Sequence, residues 1–300
     1  MDIRQRIKGS LILMLTAIVW GSGFVAQSAG REFIGANTFN GIRMLIGSFV
    51  LLPVVLYNIK VKKTITKENR KTLIISGIIC GVVLCAASTI QTVGIGYTTP
   101  GKSGFITALY LIFVPVIGVL MGKKLSLQTI LCALLALVGM YMLCMTEGFD
   151  SINYGDAITV ISAILFAIHI TIIDKVAGDI DAIAFSSIQF FVAGVINIII
   201  MFLFENPTMD IIKQCTVPIL YSGLFACGIG YTLQPIGQKY AEPTAASIIM
   251  SLESVFALLF GVIILGERPS LIEVIGSAIM LAAIILIQIP VKSFGRKKDV

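Results

Sequence analysis

The chain has 300 residues, 57% of them hydrophobic and only 13% charged, with a net charge of +6 and a mean hydropathy of +0.99. Soluble domains carry about a quarter charged residues, so this composition excludes a soluble globular protein. It also excludes a transmembrane barrel, whose alternating ten-residue segments do not occur, and it predicts an all-α integral membrane protein.

Charge-poor runs predict ten transmembrane helices, at roughly 10–28, 36–57, 72–93, 102–121, 125–145, 156–174, 182–204, 214–235, 244–265 and 271–289. The links leave little room for a soluble catalytic domain, whose smallest forms need on the order of 50 residues. With the N-terminus inside, cytoplasmic segments hold seventeen Lys and Arg residues, against Arg31, Lys102, Lys213 and Arg268 outside. The positive-inside rule therefore places both termini in the cytoplasm and the chain in the cytoplasmic membrane. Basic residues spread over loops form no nucleic-acid face. Six cysteines without a CxxC or His companions read as buried apolar residues, with no metal and no cofactor.

Span one carries WGSGF, where Trp20 stands beside glycine-exposed backbone, a ligand platform or a point of close packing; Gln27 adds polar atoms further on. AQSA, which follows, imitates a signal-peptide cleavage site. Span two holds Asn40 and Arg43. A charge inside the bilayer costs about 2.5–3.5 kcal/mol, so Arg43 reads as an anchor or gate for an anionic group, or as a structural partner of a helix end or of Glu253. Gly77 and Gly81 in span three, and Gly118 and Gly122 in span four, have the spacing of close helix packing. Gln91, near the end of span three, lies deep enough to face a cavity and bond a polar ligand, Tyr110 in span four reads as a further cavity residue, and Pro115 predicts a kink there by freeing a carbonyl. In the second half, His169 reads as titratable or as a packing residue, Gln189 and Gln234 as polar cavity groups, and Glu253 as a proton acceptor, a cation anchor or half of a structural pair.

Two stretches match. QTVGIGYTTPGK (91–102) and QPIGQKYAEPTA (234–245) share Gln91/Gln234, Gly94/Gly237, Tyr97/Tyr240 and Pro100/Pro243 at an offset of 143. The glycines predict left-handed helix caps and the prolines a reset before the next helix, hinge points between spans. At an offset of 146, Trp20 falls on Phe166, Phe39 on Phe185, and Ser76-Gly77 on Ser222-Gly223. The chain thus reads as two five-span repeats, 1–146 and 147–300. Cleaving span one would leave span six without its partner, which argues against a signal peptide. Because five is odd, the second repeat enters the membrane from the opposite side, giving inverted (5+5) topology.

WGSGF, FNGIRMLIG, TALYLIFVPVIGVLMGKKLS and SLESVFALLFGVIILGERPS resemble the drug/metabolite transporter superfamily, specifically its EamA-type members, over residues 10 to 290. The resemblance implies a ten-helix bundle in which helices one to four and six to nine surround a substrate cavity and five and ten pack behind. It further implies export of amino acids, related metabolites or toxic compounds, often with proton exchange; some relatives import, and others move nucleotide-linked sugars or sugar phosphates. Members often place a proline soon after the span-nine glutamate to break the helix, whereas Ser254 follows Glu253 here. The GER turn at Gly266, Glu267 and Arg268 reads as a capped connection.

The expected function is secondary active transport of a small polar or amphipathic metabolite by alternating access, as an exporter exchanging protons. The alternatives are an importer or exchanger of nucleoside- or sugar-phosphate-like metabolites, or a channel. A channel needs a matched polar ring, yet Arg43 falls on Gln189 and Glu253 on Tyr110; an enzyme needs an acid–base or metal cluster, which is not seen. Expected partners are a small-molecule substrate, protons and the lipid bilayer, with the protein a monomer or homodimer.

Overall fold

The computed structural model describes residues 3–97, 100–144, 153–260, 262–263 and 268–289, and every regular element among them is helical. The first half contains α1 (Ile3–Arg31), α2 (Ala36–Tyr57) with a π-helical extension to Lys62, α3 (Lys67–Ile95), a rod divided into α4 (Pro100–Ala108) and α5 (Tyr110–Leu120), and α6 (Leu127–Cys144). The second contains α7 (Tyr154–Val176), α8 (Ala182–Phe204), the short α9 (Met209–Gln214), α10 (Thr216–Tyr221), a π-helical stretch (Ser222–Tyr231), α11 (Thr232–Gln238), the divided rod α12 (Pro243–Met250) and α13 (Glu253–Phe260), and α14 (Leu271–Gln288). Eight rods are long and apolar enough to cross a membrane, while α6 and α14 contribute the shorter apolar stretches Leu127–Met142 and Leu271–Ile287. Thr66, Asn153 and Ser270 start α3, α7 and α14 with reciprocal capping boxes, which satisfy amide groups that a helix start leaves without partners. Gly266 and Glu267 of the expected GER connection lie outside the described residues.

The main packing surfaces join the two halves. They pair α2 with α8, α6 with α14, α3 with α7 and α8, α1 with α13 and the α10–α11 rod, α2 with the π-helical stretch of that rod, and α7 with α4 and α5. Exchanging equivalent spans maps each partnership onto another or onto itself, as a two-fold axis between repeats requires. The α2–α8 pair is antiparallel. Gly41 meets Ile198, Gly194 meets Leu45, and Ser48 donates to the Ser187 carbonyl at 2.9 Å.

The quoted glycines do something other than cap. Neither Gly94 nor Gly237 has positive φ; both lie inside helices, where a neighbouring rod approaches too closely for a side chain. A Cβ on Gly155, at the start of α7, would stand 2.7 Å from the Gly94 oxygen and 2.6 Å from Tyr97 Cβ. A Cβ on Gly9 in α1 would stand 3.0 Å from the Gly237 oxygen and 2.8 Å from Tyr240 Cβ. The same contact is thus built twice. Pro100 and Pro243 open α4 and α12, where a missing N–H costs nothing.

Three further expectations change. Gly77 and Gly81 do pack, against Ile188 and Val192, but Gly122 is in the left-handed region (φ +81) with nothing within 4 Å of its Cβ position, and Gly118 approaches nothing closer than 3.9 Å. Gly122 is a turn residue. The expected match of Gly77 with Gly223 is out of register. Gly81 meets Val192 and the Gln189 oxygen, while Gly223 meets Ile46 and the Arg43 oxygen, so contact equates Gly81 with Gly223 at an offset of 142. The offset becomes 143 by Gly94/Gly237. The change of one residue falls across the π-helical stretch, and a π-bulge is a one-residue insertion in an α-helix.

Pro115 lies within α5, but it is not what divides this rod. The break is at Leu109, closed by a Leu109 N–H to Ile106 carbonyl bond of 3.2 Å; the equivalent Leu252 N–H bonds the Ile249 carbonyl at 3.2 Å. The position equivalent to Pro115 is Leu258. The second break therefore forms without that proline, and with Ser254 after Glu253.

Candidate functional site

Tyr110 and Glu253 are the first helical residues after the two breaks, and they are equivalent positions of the two repeats. The Tyr110 hydroxyl donates to Glu253 Oε1 at 3.0 Å, so the axis relating the halves passes between them. They border a small cavity of about 40 Å³. α1 contributes Trp20, Gly23, Phe24 and Gln27; α2 contributes Arg43, α3 Gln91, α4 Thr107, α7 Phe166, and the π-helical stretch Ala226 and Tyr231. A buried water needs roughly 10–15 Å³, so the space holds a few waters and is too small for a metabolite.

A polar belt closes the end nearer Arg31. Gln27 Nε2 donates to Thr92 Oγ1 at 2.7 Å and to Gln91 Oε1 at 3.4 Å, and Gln91 Nε2 donates to Thr107 Oγ1 at 3.1 Å. Asn40 Nδ2 donates to the Ser88 carbonyl at 3.2 Å and to Thr92 at 3.1 Å. The other end is aromatic, with Tyr231 4.6 Å from Trp20, 5.9 Å from Phe190 and 6.3 Å from the His169 ring between centroids.

Arg43 is 3% exposed. Its Nε donates to Asn40 Oδ1 at 2.8 Å and its guanidinium carbon lies 5.4 Å from the Phe39 ring. Among the described residues no carboxylate lies within 4.0 Å of it, and it makes no pair with Glu253. The cavity therefore brings together an unneutralised guanidinium, a carboxyl group, two glutamines and an aromatic wall.

Of the residues singled out from sequence, Trp20, Gln27, Arg43, Gln91, Tyr110 and Glu253 line this space, whereas Asn40, His169, Gln189 and Gln234 do not. Asn40 braces Arg43 from behind. His169 Nε2 and Gln189 Oε1 share a 2.8 Å bond, leaving His169 Nδ1 and Gln189 Nε2 without partners. Gln234 is fully buried with neither amide atom partnered. Sequence reasoning missed Phe24, Thr107, Ala226, Tyr231 and Phe166 as lining residues. Phe166 was detectable as the repeat mate of Trp20; the π-helical setting of Tyr231 left no local signal.

One further carboxylate ties the halves together. Glu205, just past α8, accepts from the Asn37 backbone (2.9 Å) and amide (2.8 Å) and from the Thr38 backbone and hydroxyl (both 2.7 Å). It supplies the cap that Gly35 cannot give α2. Partial burial raises the Glu205 pKa, but bonds from the Thr38 hydroxyl and the Asn37 and Thr38 amides outweigh it and hold the carboxyl below its ordinary 4.5. A carboxyl lowered on folding stabilises the fold above its unfolded pKa, and that contribution is lost as pH falls through the folded value. Glu205→Gln should cost on the order of 1–3 kcal/mol near neutrality. Its unfolding midpoint in detergent should change less than that of wild type between pH 5 and pH 3; parallel pH profiles would remove the latch.

The EamA-like transporter family profile matches residues 7–145 and again 153–289, and the chain belongs to that family. It is 28% identical to an uncharacterised transporter of Archaeoglobus fulgidus over 96% of this chain and 88% of the other. It is 24% identical to the uncharacterised transporter YoaV of Bacillus subtilis over 93% and 96% of the two chains. A solved crystal structure superposes with a TM-score of 0.76 at 17% identity, covering 93% of this chain and 96% of the other, which shows the fold. The protein is a multi-pass membrane protein of a transporter family, with a duplicated helical repeat.

Proposed function

We propose that this EamA-family protein carries a zwitterionic, amino-acid-like metabolite across the cytoplasmic membrane by alternating access, exporting it in exchange for protons. The carrying observation is Arg43 and Glu253 on one cavity without an ion pair between them. A substrate carboxylate meets the Arg43 guanidinium, which suits planar anions. The substrate ammonium, or a proton, meets Glu253. A sugar phosphate brings two negative charges to a site whose described lining holds one cation, Arg43, and a carboxyl group, which disfavours that reading.

The cavity's asymmetry supports alternation. It contains both members of Trp20/Phe166 and Tyr110/Glu253, but only the first-repeat member of Arg43/Gln189 and Gln91/Gln234. In an inverted (5+5) arrangement of ten spans with cytoplasmic termini, the opposite state closes on Arg43 and Gln91 and opens on Gln189, Gln234 and His169. Unpartnered buried polar atoms cost about 1–3 kcal/mol each. Those on Gln234, Gln189 and His169 are relieved when that side takes up water. The moving bodies differ from residues 1–146 and 147–300, because packing interleaves them. α1, α2 and the second half's last cavity rods (α10–α13) face α3–α5, α7 and α8 across the cavity, with the α2–α8 contact as the axle.

The test is counterflow in liposomes, comparing amino acids with amines that lack the carboxylate. Losing a charged hydrogen bond is worth about 1.5–3 kcal/mol, so Arg43→Gln should raise KM roughly tenfold or more for the zwitterion and leave the amine unchanged. Equal effects on both, or non-saturating flux, would overturn the proposal.

A further inference from the structure

We infer that the cleft between α5 and α6 is a binding site for one anionic phospholipid, independent of the transport reading. The cleft encloses about 300 Å³ and is lined from Ile112 and Ala133 at its depth to Leu120 and Leu125 at its mouth. Eight residues of helix separate Ile112 from Leu120, so it runs about 12 Å along the rod. Its floor is buried at Pro115 and Ala133, while Leu120 (82% exposed) and Leu134 (53%) form its rims on the outside of the bundle. Thr129 is the one polar side chain among those lining it, and its hydroxyl is shared with Ser126 at 2.8 Å. A linear apolar slot of this kind, open sideways to hydrocarbon, fits an acyl chain.

The mouth supplies the charge preference. α5 ends at Leu120, the chain turns through Gly122 in the left-handed region, and Lys123 and Lys124 precede Leu125 of the lining. Lys123 pairs with Asp174 at 3.1 Å and stays half exposed, and Lys124 is exposed beside it. Basic residues at the end of a membrane span attract anionic headgroups. In the second repeat the matching positions are Glu267 and Arg268, so the charge pattern at the turn is particular to the first copy. A second copy of the chain is a poorer occupant. Two-fold docking about the membrane normal would bring its own lysine pair to the same depth as this one.

Full-length protein, delipidated in neutral detergent, is titrated with phosphatidylglycerol or phosphatidylcholine of identical acyl chains. Thermal unfolding and the lipid mass retained by the intact protein are followed. Phosphatidylglycerol should raise the unfolding midpoint at least twice as much as phosphatidylcholine, with one lipid retained. Lys124→Glu should reduce the phosphatidylglycerol response to the phosphatidylcholine level, and Ala133→Phe, which fills the cleft, should abolish retention of either. Equal wild-type responses to the two headgroups, or an undiminished preference in Lys124→Glu, overturn the inference. So does an Ala133→Phe protein that loses a dimer while keeping its lipid. If Ala133→Phe fails to fold, the exposed Lys124→Glu substitution decides alone.

Discussion

Glu253→Gln is expected to abolish proton-coupled transport while leaving the fold intact. Glutamine has nearly the same shape and keeps an oxygen to accept from the Tyr110 hydroxyl, now 3.0 Å away, so the contact between the two broken rods survives. What disappears is the ionisable group. Losing one charged contact to a substrate ammonium is worth about 1.5–3 kcal/mol, roughly ten- to a hundredfold in affinity, and the proposed proton carrier is lost altogether. In liposomes with an imposed pH gradient, the variant should show no gradient-driven uptake and an unchanged unfolding midpoint. Tyr110→Phe provides the contrast, because it removes the hydrogen bond but keeps the carboxyl; gradient-driven uptake should persist at a reduced rate. Wild-type rates and pH dependence in Glu253→Gln would remove this residue from the mechanism.

Hydropathy is a local sum, so the rods could be read directly from the chain, including α6 and α14, whose apolar stretches fall short of the other eight. The duplication was legible for the same reason, since QTVGIGY and QPIGQKY repeat side chains and their order. What failed depends on long-range contact. Gly94 and Gly118 look alike in sequence, yet one meets another backbone across the bundle and the other meets almost nothing. The register of α3 against the α10–α11 rod was misplaced by four residues, because the Ser-Gly match at 76–77 carries no information on which glycine meets the neighbouring rod; the further one-residue change across the π-helical stretch leaves no mark in composition. Pro115 suggested the wrong cause for a break that both repeats share. The site was half legible. Charged and polar residues at mid-depth identified Arg43 and Glu253, but the sequence held nothing to show that Gln91 would face the cavity while its mate Gln234 is sealed away. Under the proposed alternating access, that distinction belongs to one of two conformations, whereas the sequence must serve both.

Gly155→Val and Gly9→Val should damage folding to a similar degree, and this tests the two-fold relation more directly than any transport assay. The closest atoms met by the new Cβ atoms are backbone oxygens or Cβ atoms fixed to the backbone: Tyr97 Cβ at 2.6 Å and the Gly94 oxygen at 2.7 Å from position 155, and Tyr240 Cβ and the Tyr240 and Gly237 oxygens at 2.8, 2.9 and 3.0 Å from position 9. Rotating a side chain cannot relieve these contacts, so a whole rod must shift. Overpacking costs typically about 1–3 kcal/mol, and occasionally more, and valine adds two methyl groups to the Cβ already in conflict. Each variant should lower the yield of folded protein and its unfolding midpoint, and the double variant should approach the sum of the two, since the sites share no partners. Gly118→Ala is the control, because nothing lies within 3.9 Å of its Cβ position. Damage confined to one site would mean that the start of α7 does not pack on α3 as the start of α1 packs on α11. Tolerance at both would mean that the rods do not approach so closely, and the glycines of the repeated motif would lose their physical explanation.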